Sequence, residues 1–358
     1  MKTYNIAVIP GDGIGGEVID AGLHVLRAAA EVYGFEVSTE HLPWGCTYYL
    51  EHGEMMPAGG IDTLAGADAI YLGAVGWPTV PDHVSLWELL LPIRQTFAQY
   101  ANVRPVRLLP GLEGRIKGKG PEHINFVCVR ENSEGEYSGV GGRVHRSFPQ
   151  ELAIQTDVFT RAGVERVMRF SFELARTRRD KVTSATKSNA GRYAFVFWDE
   201  IHAEVAQDYP DVETEKWHID ALAARFVTHP ETLDVVVASN LFGDILTDLG
   251  GAIQGSLGNA ASANLSPEHV GPSMFEPVHG SAPDIQGQGI ANPIGSIWAG
   301  SMMLDHLGET EAARAVMGGI ETLTARGETL TRDLGGQAST MDVANAIART
   351  VREVEVGA

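Results

Sequence analysis

The sequence predicts an α/β fold, because short β-branched runs alternate with helical patterns along almost the whole chain. The predicted strands are Ile6–Ile9, Ala69–Leu72, Asn125–Val129, Lys181–Ala185, Trp217–Ile219 and Leu233–Ala238. The predicted helices are Glu17–Tyr33, Ala190–Gln207, Ala221–Thr228, Phe242–Ile253 and Met341–Val354. Alternation of this kind is typical of a largely parallel or mixed sheet.

Size and composition narrow the functional classes. The chain has 358 residues, enough for two domains, and its 44% hydrophobic and 20% charged residues are typical of globular proteins. A formal charge of −19 argues against binding to nucleic acid or to an anionic membrane surface. The only cysteines, Cys46 and Cys128, exclude a disulfide scaffold and a thiolate zinc site. Since no apolar stretch is long enough to span a membrane and no signal peptide is recognisable, we expect a cytoplasmic protein.

A glycine-rich segment, GDGIGG at 11–16, follows the first predicted strand and opens a helix. This pattern is typical of a dinucleotide-binding Rossmann loop, and Glu36 or Glu40 could serve as the ribose-binding acid. Two features argue against that interpretation. Pro10 precedes the first glycine, and Asp12 would place a negative charge where a pyrophosphate should bind. The alternative is a strand-to-helix turn that binds no phosphate.

Two aspartates, Asp244 and Asp248, stand four residues apart in a predicted helix. Like charges at this spacing repel each other unless a cation lies between them. They border an apolar arc formed by Leu241, Phe242, Ile245, Leu246 and Leu249. The pair is either a solvated surface or a site for Mg²⁺ or Mn²⁺, which prefer oxygen ligands. Asp220, just after the predicted strand at Trp217, is the candidate third carboxylate.

Other candidate side chains follow strands or hydrophobic segments. Lys187 ends a predicted strand in TKSN (186–189), where Ser188 or Asn189 could cap the next helix, and lies where α/β sheets often bind ligands. Tyr137 lies in a predicted polar turn and could donate a proton. The guanidinium groups of Arg94, Arg104 and Arg130 suit a substrate with two carboxylates. Taken singly, these residues could equally be a surface lysine, a packed ring and structural ion pairs.

Together, the motifs resemble those of the β-decarboxylating dehydrogenases, the family of isocitrate and 3-isopropylmalate dehydrogenases. The most specific stretch is NLFGDILTDLGGAIQGSLG (240–258). The other matches are IPGDGIG (9–15), ANVRP (101–105), VRENSEGEYSG (129–139), TKSN (186–189) and EPVHGSAPDIQGQGIANP (276–293). The resemblance covers nearly the whole chain, from Ile6 to about the last predicted helix.

The resemblance implies a two-domain, isopropylmalate-dehydrogenase-like α/β fold with mixed sheets that is distinct from the Rossmann fold. The first domain would combine residues 1–102 with 258–358 and carry most of the NAD site. The second, 103–257, would carry dimerisation, the catalytic lysine and the metal ligands. The family forms homodimers with two shared active sites, so each site would take Lys187 and Asp220 from the partner chain.

The resemblance also assigns roles to individual residues. Asp244, Asp248 and the partner's Asp220 would hold Mg²⁺ or Mn²⁺, and the three arginines would bind the substrate's carboxylates. Lys187 would take the proton of the substrate's 2-hydroxyl group, and Tyr137 would protonate the enolate left by decarboxylation. The expected NAD-binding residues are His279, Gly280, Ser281, Ala282, Asp284, Ile285 and Asn292. Because all the catalytic residues are present, a non-catalytic regulatory subunit is disfavoured.

In the family that the chain resembles, the segment before Arg94 recognises the substituent on C3 of the substrate. Isocitrate enzymes carry a serine and an asparagine there, where this chain has Glu88 and Leu90, so a third carboxylate is disfavoured. Trp87 would fill the space that an isopropyl group needs. The segments 44–57 and 81–87 resemble tartrate dehydrogenases and decarboxylating D-malate dehydrogenases, and 3-isopropylmalate remains the alternative.

The cofactor expectation rests on Asp284, which the resemblance places at the adenosine ribose. A carboxylate there accepts hydrogen bonds from the ribose hydroxyls and repels a 2′-phosphate, so it favours NAD⁺ over NADP⁺. NADP-using relatives carry a lysine and a tyrosine at the positions of Asp284 and Ile285. The other interpretation is that Asp284 only caps a turn.

Overall fold

A computed structural model describes residues 1–353, so Val354, the predicted end of the last helix, lies outside the described residues. The strands are β1 (Lys2–Gly11), β2 (Phe35–His41), β3 (Ala69–Ala74), β4 (Ala101–Arg107), β5 (Asn125–Glu131), β6 (Gly135–Val144), β7 (Leu152–Val158), β8 (Lys181–Thr186), β9 (Glu213–His218), β10 (Val235–Ala238), β11 (Ala261–Leu265) and β12 (Ser273–Pro277). The helices are α1 (Gly15–Tyr33), α2 (Cys46–His52), α3 (Gly60–Ala65), α4 (Asp82–Ser85), α5 (Leu91–Thr96), α6 (Arg161–Arg176), α7 (Ala194–Ala206), α8 (Ile219–Thr228), α9 (Asn240–Ile253), α10 (Ile294–His306), α11 (Thr310–Arg326) and α12 (Thr340–Glu353). The predicted α/β class is confirmed.

The chain divides into two compact units. Unit 1 contains Met1–Gln99, Pro105–Ile124 and the chain from Gly251 onward. Its strands follow the order β2-β1-β3-β12-β11, in which β11 and β12 pair antiparallel and the other neighbours pair parallel. Helices α1, α10, α11 and α12 pack against one another. The sheet of this unit is therefore mixed, as the resemblance implied.

Unit 2 contains Tyr100–Arg104 and Asn125–Gly250. Its sheet includes the order β5-β10-β8-β9, with parallel pairing throughout that stretch. The central strand β10 is buried along its whole length, which explains its continuous valine run. Strands β6 and β7 form a separate antiparallel pair. The unit therefore carries an antiparallel arm in addition to its parallel sheet.

Several predicted boundaries in unit 2 are wrong. The strand predicted at Trp217–Ile219 is β9 (Glu213–His218), an edge strand whose exposed polar residues hide it from an apolar pattern, and Ile219 already belongs to α8. The helix predicted from Ala190 begins at Ala194, with neither Ser188 nor Asn189 as its cap. The intervening turn includes Gly191, a poor helix former.

The glycine loop of unit 1 is a structural joint. The buried carboxylate of Asp12 accepts backbone hydrogen bonds from Cys46 at 3.0 Å, Thr47 at 3.1 Å and Gly76 at 2.9 Å. Gly13 adopts φ +58°, and a Cβ on it would lie 1.9 Å from the Ser281 carbonyl oxygen. Asp12 therefore joins the end of β1 to α2 and to the loop after β3, which supports the turn interpretation over the Rossmann one.

Removing the Asp12 carboxylate should destabilise unit 1, because three backbone N–H groups lose a charged acceptor. Asp12→Ala should lower the free energy of unfolding by about 3 kcal/mol, measured by urea denaturation. Asp20→Ala, which removes an exposed aspartate from α1, is the matched control and should have little effect. Equal stability of the two variants would show that Asp12 does not hold this joint.

Candidate active site

Arg130, in β5, contacts the first turn of α9. Its Nε and Nη2 donate to the Asn240 side-chain oxygen at 2.9 and 2.7 Å, and its Nη1 donates to the Asp244 carboxylate. A Cβ on Gly243 would lie 2.6 Å from the Arg130 side chain, so glycine permits this close approach. The buried guanidinium is thus fully directed at the start of α9.

A second arginine lies against the same helix. Arg104 Nη1 donates to Thr247 Oγ1 at 2.7 Å and lies 3.7 Å from Asp244 Oδ1. Loss of solvation and the neighbouring Asp244 raise the pKa of Asp248, while Arg104 and Arg130 oppose that shift. The predicted carboxylate pair and two of the three predicted arginines therefore lie together in unit 2.

The chemistry of this group fits a hard divalent cation. Burial raises the pKa of Asp248, and repulsion by the Asp244 carboxylate at i−4 adds to that rise. A cation between the two carboxylates would relieve the repulsion. Asp244 remains 41% exposed at its side chain, so a ligand can reach it. Within residues 1–353, no three His, Cys, Asp or Glu side chains are arranged to hold a metal.

Tyr137 lies beside this group. The Arg130 guanidinium carbon is 5.5 Å from the centroid of the Tyr137 ring. The prediction that Tyr137 lies in a turn is wrong, since it belongs to β6, in the stretch between Gly135 and Val140 where the pairing register with β7 shifts. Such irregularities redirect side chains and are frequent beside active sites.

Lys187 and Asp220 form a separate pair in unit 2. Lys187 Nζ donates to the Asp220 carboxylate, and this hydrogen bond is the largest cause lowering the pKa of Asp220. Asp220 lies in the first turn of α8. Lys187 and His218 are the charged groups that lower the pKa of Asp220.

Arg94, in unit 1, is held by a buried carboxylate. Its Nη2 lies 3.0 Å from Glu276 Oε1, and the two side chains are only 5% and 9% exposed. Asn264 Nδ2 donates to the same oxygen at 2.8 Å. The guanidinium is therefore fixed in orientation.

The predicted specificity residues Trp87 and Leu90 lie on a π-helical turn, Leu86–Leu90, which the sequence analysis missed. The Leu91 N–H donates to the Leu86 carbonyl, five residues back. Pro92 follows and has no N–H group, so the regular α-helical ladder is interrupted there. Trp87 is 37% exposed, whereas Leu90 packs against a buried core cluster of unit 1.

Three of the seven predicted NAD-binding residues line a cavity of about 400 Å³ in unit 1, a size typical of small-molecule sites. Its lining includes His279, Ile285, Asn292 and, from the glycine loop, Ile14. The Nε2 atom of His279 is buried without a hydrogen-bond partner among the described residues. That atom fits a ligand with a complementary polar group, such as a nucleotide base.

The loop that borders this cavity is held by the glycine loop. The Ile14 N–H donates to the Ser281 carbonyl at 2.8 Å, and Ala282 adopts a left-handed φ of +39°. Gly280 and Asp284 are exposed, so they are accessible to a ligand. The side chain of Asn292 instead donates to Asn259 Oδ1 and Asp333 Oδ2, at 2.9 Å each, and accepts from the Ile294 N–H at 3.0 Å. Its observed side-chain contacts are structural.

Sequence reasoning missed two carboxylates of the site region. Glu276, the partner of Arg94, lies in a matched motif but is separated from Arg94 by 182 positions, so no local pattern reveals the pair. Glu136 precedes Tyr137 and accepts hydrogen bonds at the start of α9. The helix was predicted from Phe242 but begins at Asn240, and the polar Ser239-Asn240 pair before it is the signal that could have shown this.

Comparison with known proteins shows the family of the chain. The family model described as isocitrate/isopropylmalate dehydrogenase matches residues 5–347. The chain belongs to this family. The predicted resemblance is therefore confirmed, and with it the expectation of an enzyme and of the family's α/β fold.

Individual relatives cover the chain almost completely. A probable tartrate dehydrogenase/decarboxylase of Bacillus subtilis (strain 168) is 55% identical, covering 99% of both chains. The D-malate dehydrogenase [decarboxylating] of Escherichia coli (strain K12) is 54% identical, covering 98% of this chain and 99% of its own. The solved isocitrate dehydrogenase of Methylococcus capsulatus is 35% identical with a TM-score of 0.87, covering 98% of this chain and 99% of its own.

Breaking the Arg94–Glu276 pair on one side should leave a buried charge without its partner. Arg94→Met should lower the free energy of unfolding by about 3–5 kcal/mol, measured by urea denaturation, and Arg94→Met/Glu276→Met should recover part of that loss. Arg314→Met is the control, because its pair with Glu311 is exposed and contributes little. If the two single variants are equally stable, the buried pair does not hold Arg94.

Proposed function

We propose that the protein is an NAD-dependent, divalent-metal-dependent dehydrogenase that oxidises and decarboxylates tartrate, D-malate or both. The observation that carries the proposal is the group in unit 2 in which Arg130 contacts Asp244 and lies over the Tyr137 ring. This group combines a carboxylate-binding cation, a metal-type ligand and a proton donor. The relatives named as tartrate and D-malate enzymes support the choice of substrate.

In the proposed reaction, different residues of the chain bind the substrate and transfer its protons. Arg94, Arg104 and Arg130 bind and orient the substrate's carboxylates, as guanidinium groups do well. Lys187 would accept the proton of the substrate's 2-hydroxyl group. A bound NAD⁺ would supply the acceptor for the hydride removed from C2. Tyr137 donates its phenolic proton to the enolate carbon after CO₂ has left.

Asp244 and Asp248, with Asp220 of a second copy, would hold Mg²⁺ or Mn²⁺. When bound, such a cation acts as a Lewis acid on the oxygens of the hydroxy acid. In this chain Lys187 Nζ donates a hydrogen bond to Asp220. The two residues would therefore enter the same active site together. NAD⁺ would bind at the unit 1 cavity through His279, Gly280, Ser281, Ala282, Asp284, Ile285 and Asn292.

A homodimer is part of the proposal, because each site would use Lys187 and Asp220 from the partner. The β6–β7 arm exposes large apolar side chains, which a second copy of the chain could cover. These are Val140, Val144, Phe148, Leu152 and Ile154. No nucleic acid or membrane partner is proposed. Each helix in residues 1–353 is too short or too polar to cross a membrane. A cytoplasmic location is proposed separately.

In this proposal, the segment before Arg94 selects the substrate through the substituent on the substrate's C3. Trp87 would occupy the volume that an isopropyl group requires, while Glu88 would repel a third carboxylate. Both side chains are exposed on the π-helical turn, where a ligand can reach them. The remaining alternative within the family is 3-isopropylmalate.

A panel of substrates tests the proposed activity. D-malate or a tartrate isomer should give a kcat/KM at least about tenfold higher than 3-isopropylmalate or isocitrate, because a mismatched pocket group costs about 1–3 kcal/mol. Chelation should abolish turnover, and Mn²⁺ or Mg²⁺ should restore it. Trp87→Leu should shift the ratio toward 3-isopropylmalate. A wild-type preference for 3-isopropylmalate, or full turnover without metal, would contradict the proposal.

Cofactor preference should depend on Asp284, whose carboxylate would bond the ribose hydroxyls and repel a 2′-phosphate. Asp284→Lys should lower the ratio of kcat/KM for NAD⁺ to that for NADP⁺ by at least about tenfold, since one interaction of 1.4 kcal/mol suffices for that factor. Glu268→Lys makes the same charge change outside the proposed cofactor loop and should leave the ratio unchanged. Equal use of both cofactors by the wild type would overturn the assignment.

A further inference from the structure

Glu136 is a buried carboxylate at the start of α9. It is 7% exposed, accepts a hydrogen bond from Ser239 Oγ at 2.7 Å and accepts another from the Leu241 N–H at 3.1 Å. The first N–H groups of a helix have no partner inside the helix, and a negative charge near them is stabilising. Glu136 therefore fixes the end of α9 that leads to Asp244.

The backbone of the same residue is fixed to the β6–β7 arm. Gln155 Nε2 donates to the Glu136 carbonyl at 2.9 Å, and Ser138 Oγ donates to the Thr156 carbonyl at 3.0 Å. Tyr137 lies between these two anchors, where the β6–β7 register shifts. The side-chain contacts of Gln155 and Ser138 on either side therefore contribute to the position of Tyr137.

The rest of this segment also contacts α9. Asn240 Nδ2 donates to the Glu134 carbonyl at 3.3 Å, and the Asn240 oxygen accepts from Arg130. Residues 130–136 therefore wrap around the first turn of α9. Of these contacts, that of Glu136 is nearest in sequence to Tyr137 and places a charge at the helix end.

We propose that Glu136 is a positioning residue that sets the distance between the Tyr137 hydroxyl and the Asp244 carboxylate. The inference rests on the proposed function, in which the Tyr137 O–H bond breaks and a C–H bond forms at the enolate carbon. The proton is later replaced from solvent. If Glu136 acts in this way, its loss impairs protonation after decarboxylation more than it impairs substrate binding.

The chain offers a matched control. The Glu134 carboxylate also accepts one backbone N–H and one hydroxyl, both from Thr160, at 2.8 Å each. Its contacts lie at the start of α6 instead of α9. Glu134→Gln therefore removes the same charge and weakens the same type of contact, without altering a side-chain contact to α9.

The experiment measures the ratio of pyruvate to NADH formed from D-malate in the first turnovers. Glu136→Gln should lower this ratio and lower kcat for pyruvate formation by roughly 10- to 100-fold, as displacement of a reacting group does, with KM for D-malate little changed. Ser239→Ala, which removes one donor to Glu136, should lower the ratio less. Glu134→Gln should match the wild type.

Two further measurements separate positioning from general damage. In Glu136→Gln/Tyr137→Phe, the loss should be no greater than in Tyr137→Phe alone, because a displaced donor and a missing donor affect the same step. Binding of Mn²⁺ without substrate or cofactor, followed by electron paramagnetic resonance, should stay within about threefold of wild type in Glu136→Gln, because the Asp244–Asp248 spacing is set within one helix. Asp244→Asn should weaken that binding strongly.

The outcomes are distinguishable. If Tyr137→Phe leaves the pyruvate ratio unchanged, the proposed role of Tyr137 fails, and this inference fails with it. If Tyr137→Phe lowers the ratio but Glu136→Gln does not, only the inference fails. Additive losses in the double variant, or a parallel loss of Mn²⁺ binding in Glu136→Gln, would show that Glu136 supports the helix instead of positioning Tyr137.

Discussion

The contact between Arg130 and the first turn of α9 is the interaction on which the rest of the site depends. A buried guanidinium requires acceptors, and the Asn240 oxygen and the Asp244 carboxylate supply them. Together with Arg104, that cation offsets the repulsion between two carboxylates one turn apart on α9. The same guanidinium lies over the Tyr137 ring. One buried charge therefore contacts both Asp244, which is proposed as a metal ligand, and Tyr137, which is proposed as the proton donor.

The glycine loop of unit 1, residues 11–16, has a structural role. The Asp12 carboxylate is saturated by backbone N–H groups, and the loop around it holds the segment that contains Ser281 and Ala282. A phosphate bound at this loop would have to compete with the Asp12 carboxylate for the backbone N–H groups. A loop that only borders a neighbouring cavity does not have to bind a phosphate. The glycine pattern thus indicates close backbone packing. The buried Nε2 of His279 lies at the cavity beside this loop.

Much of the fold and of the site was predictable, for identifiable reasons. Continuous valine runs such as β10 and long periodic helices such as α1 carry strong local signals, and the motifs place Asp244, Asp248 and Lys187 through resemblance. The edge strand β9 and the irregular part of β6 carry no such local signal. Their pairing depends on the neighbouring strands β8 and β7. Glu276 and Glu136 went unrecognised because their roles depend on partners more than a hundred positions away.

In the proposed enzyme, each active site combines Tyr137 of one chain with Lys187 of another. Lys187→Ala and Tyr137→Phe homodimers, each refolded separately, should form almost no pyruvate from D-malate. When the two variants are denatured and refolded together, about half of the dimers are mixed and each has one intact site, so about a quarter of wild-type activity should return. If heterodimers confirmed by mass remain inactive, Lys187 acts within its own chain and the shared site is wrong.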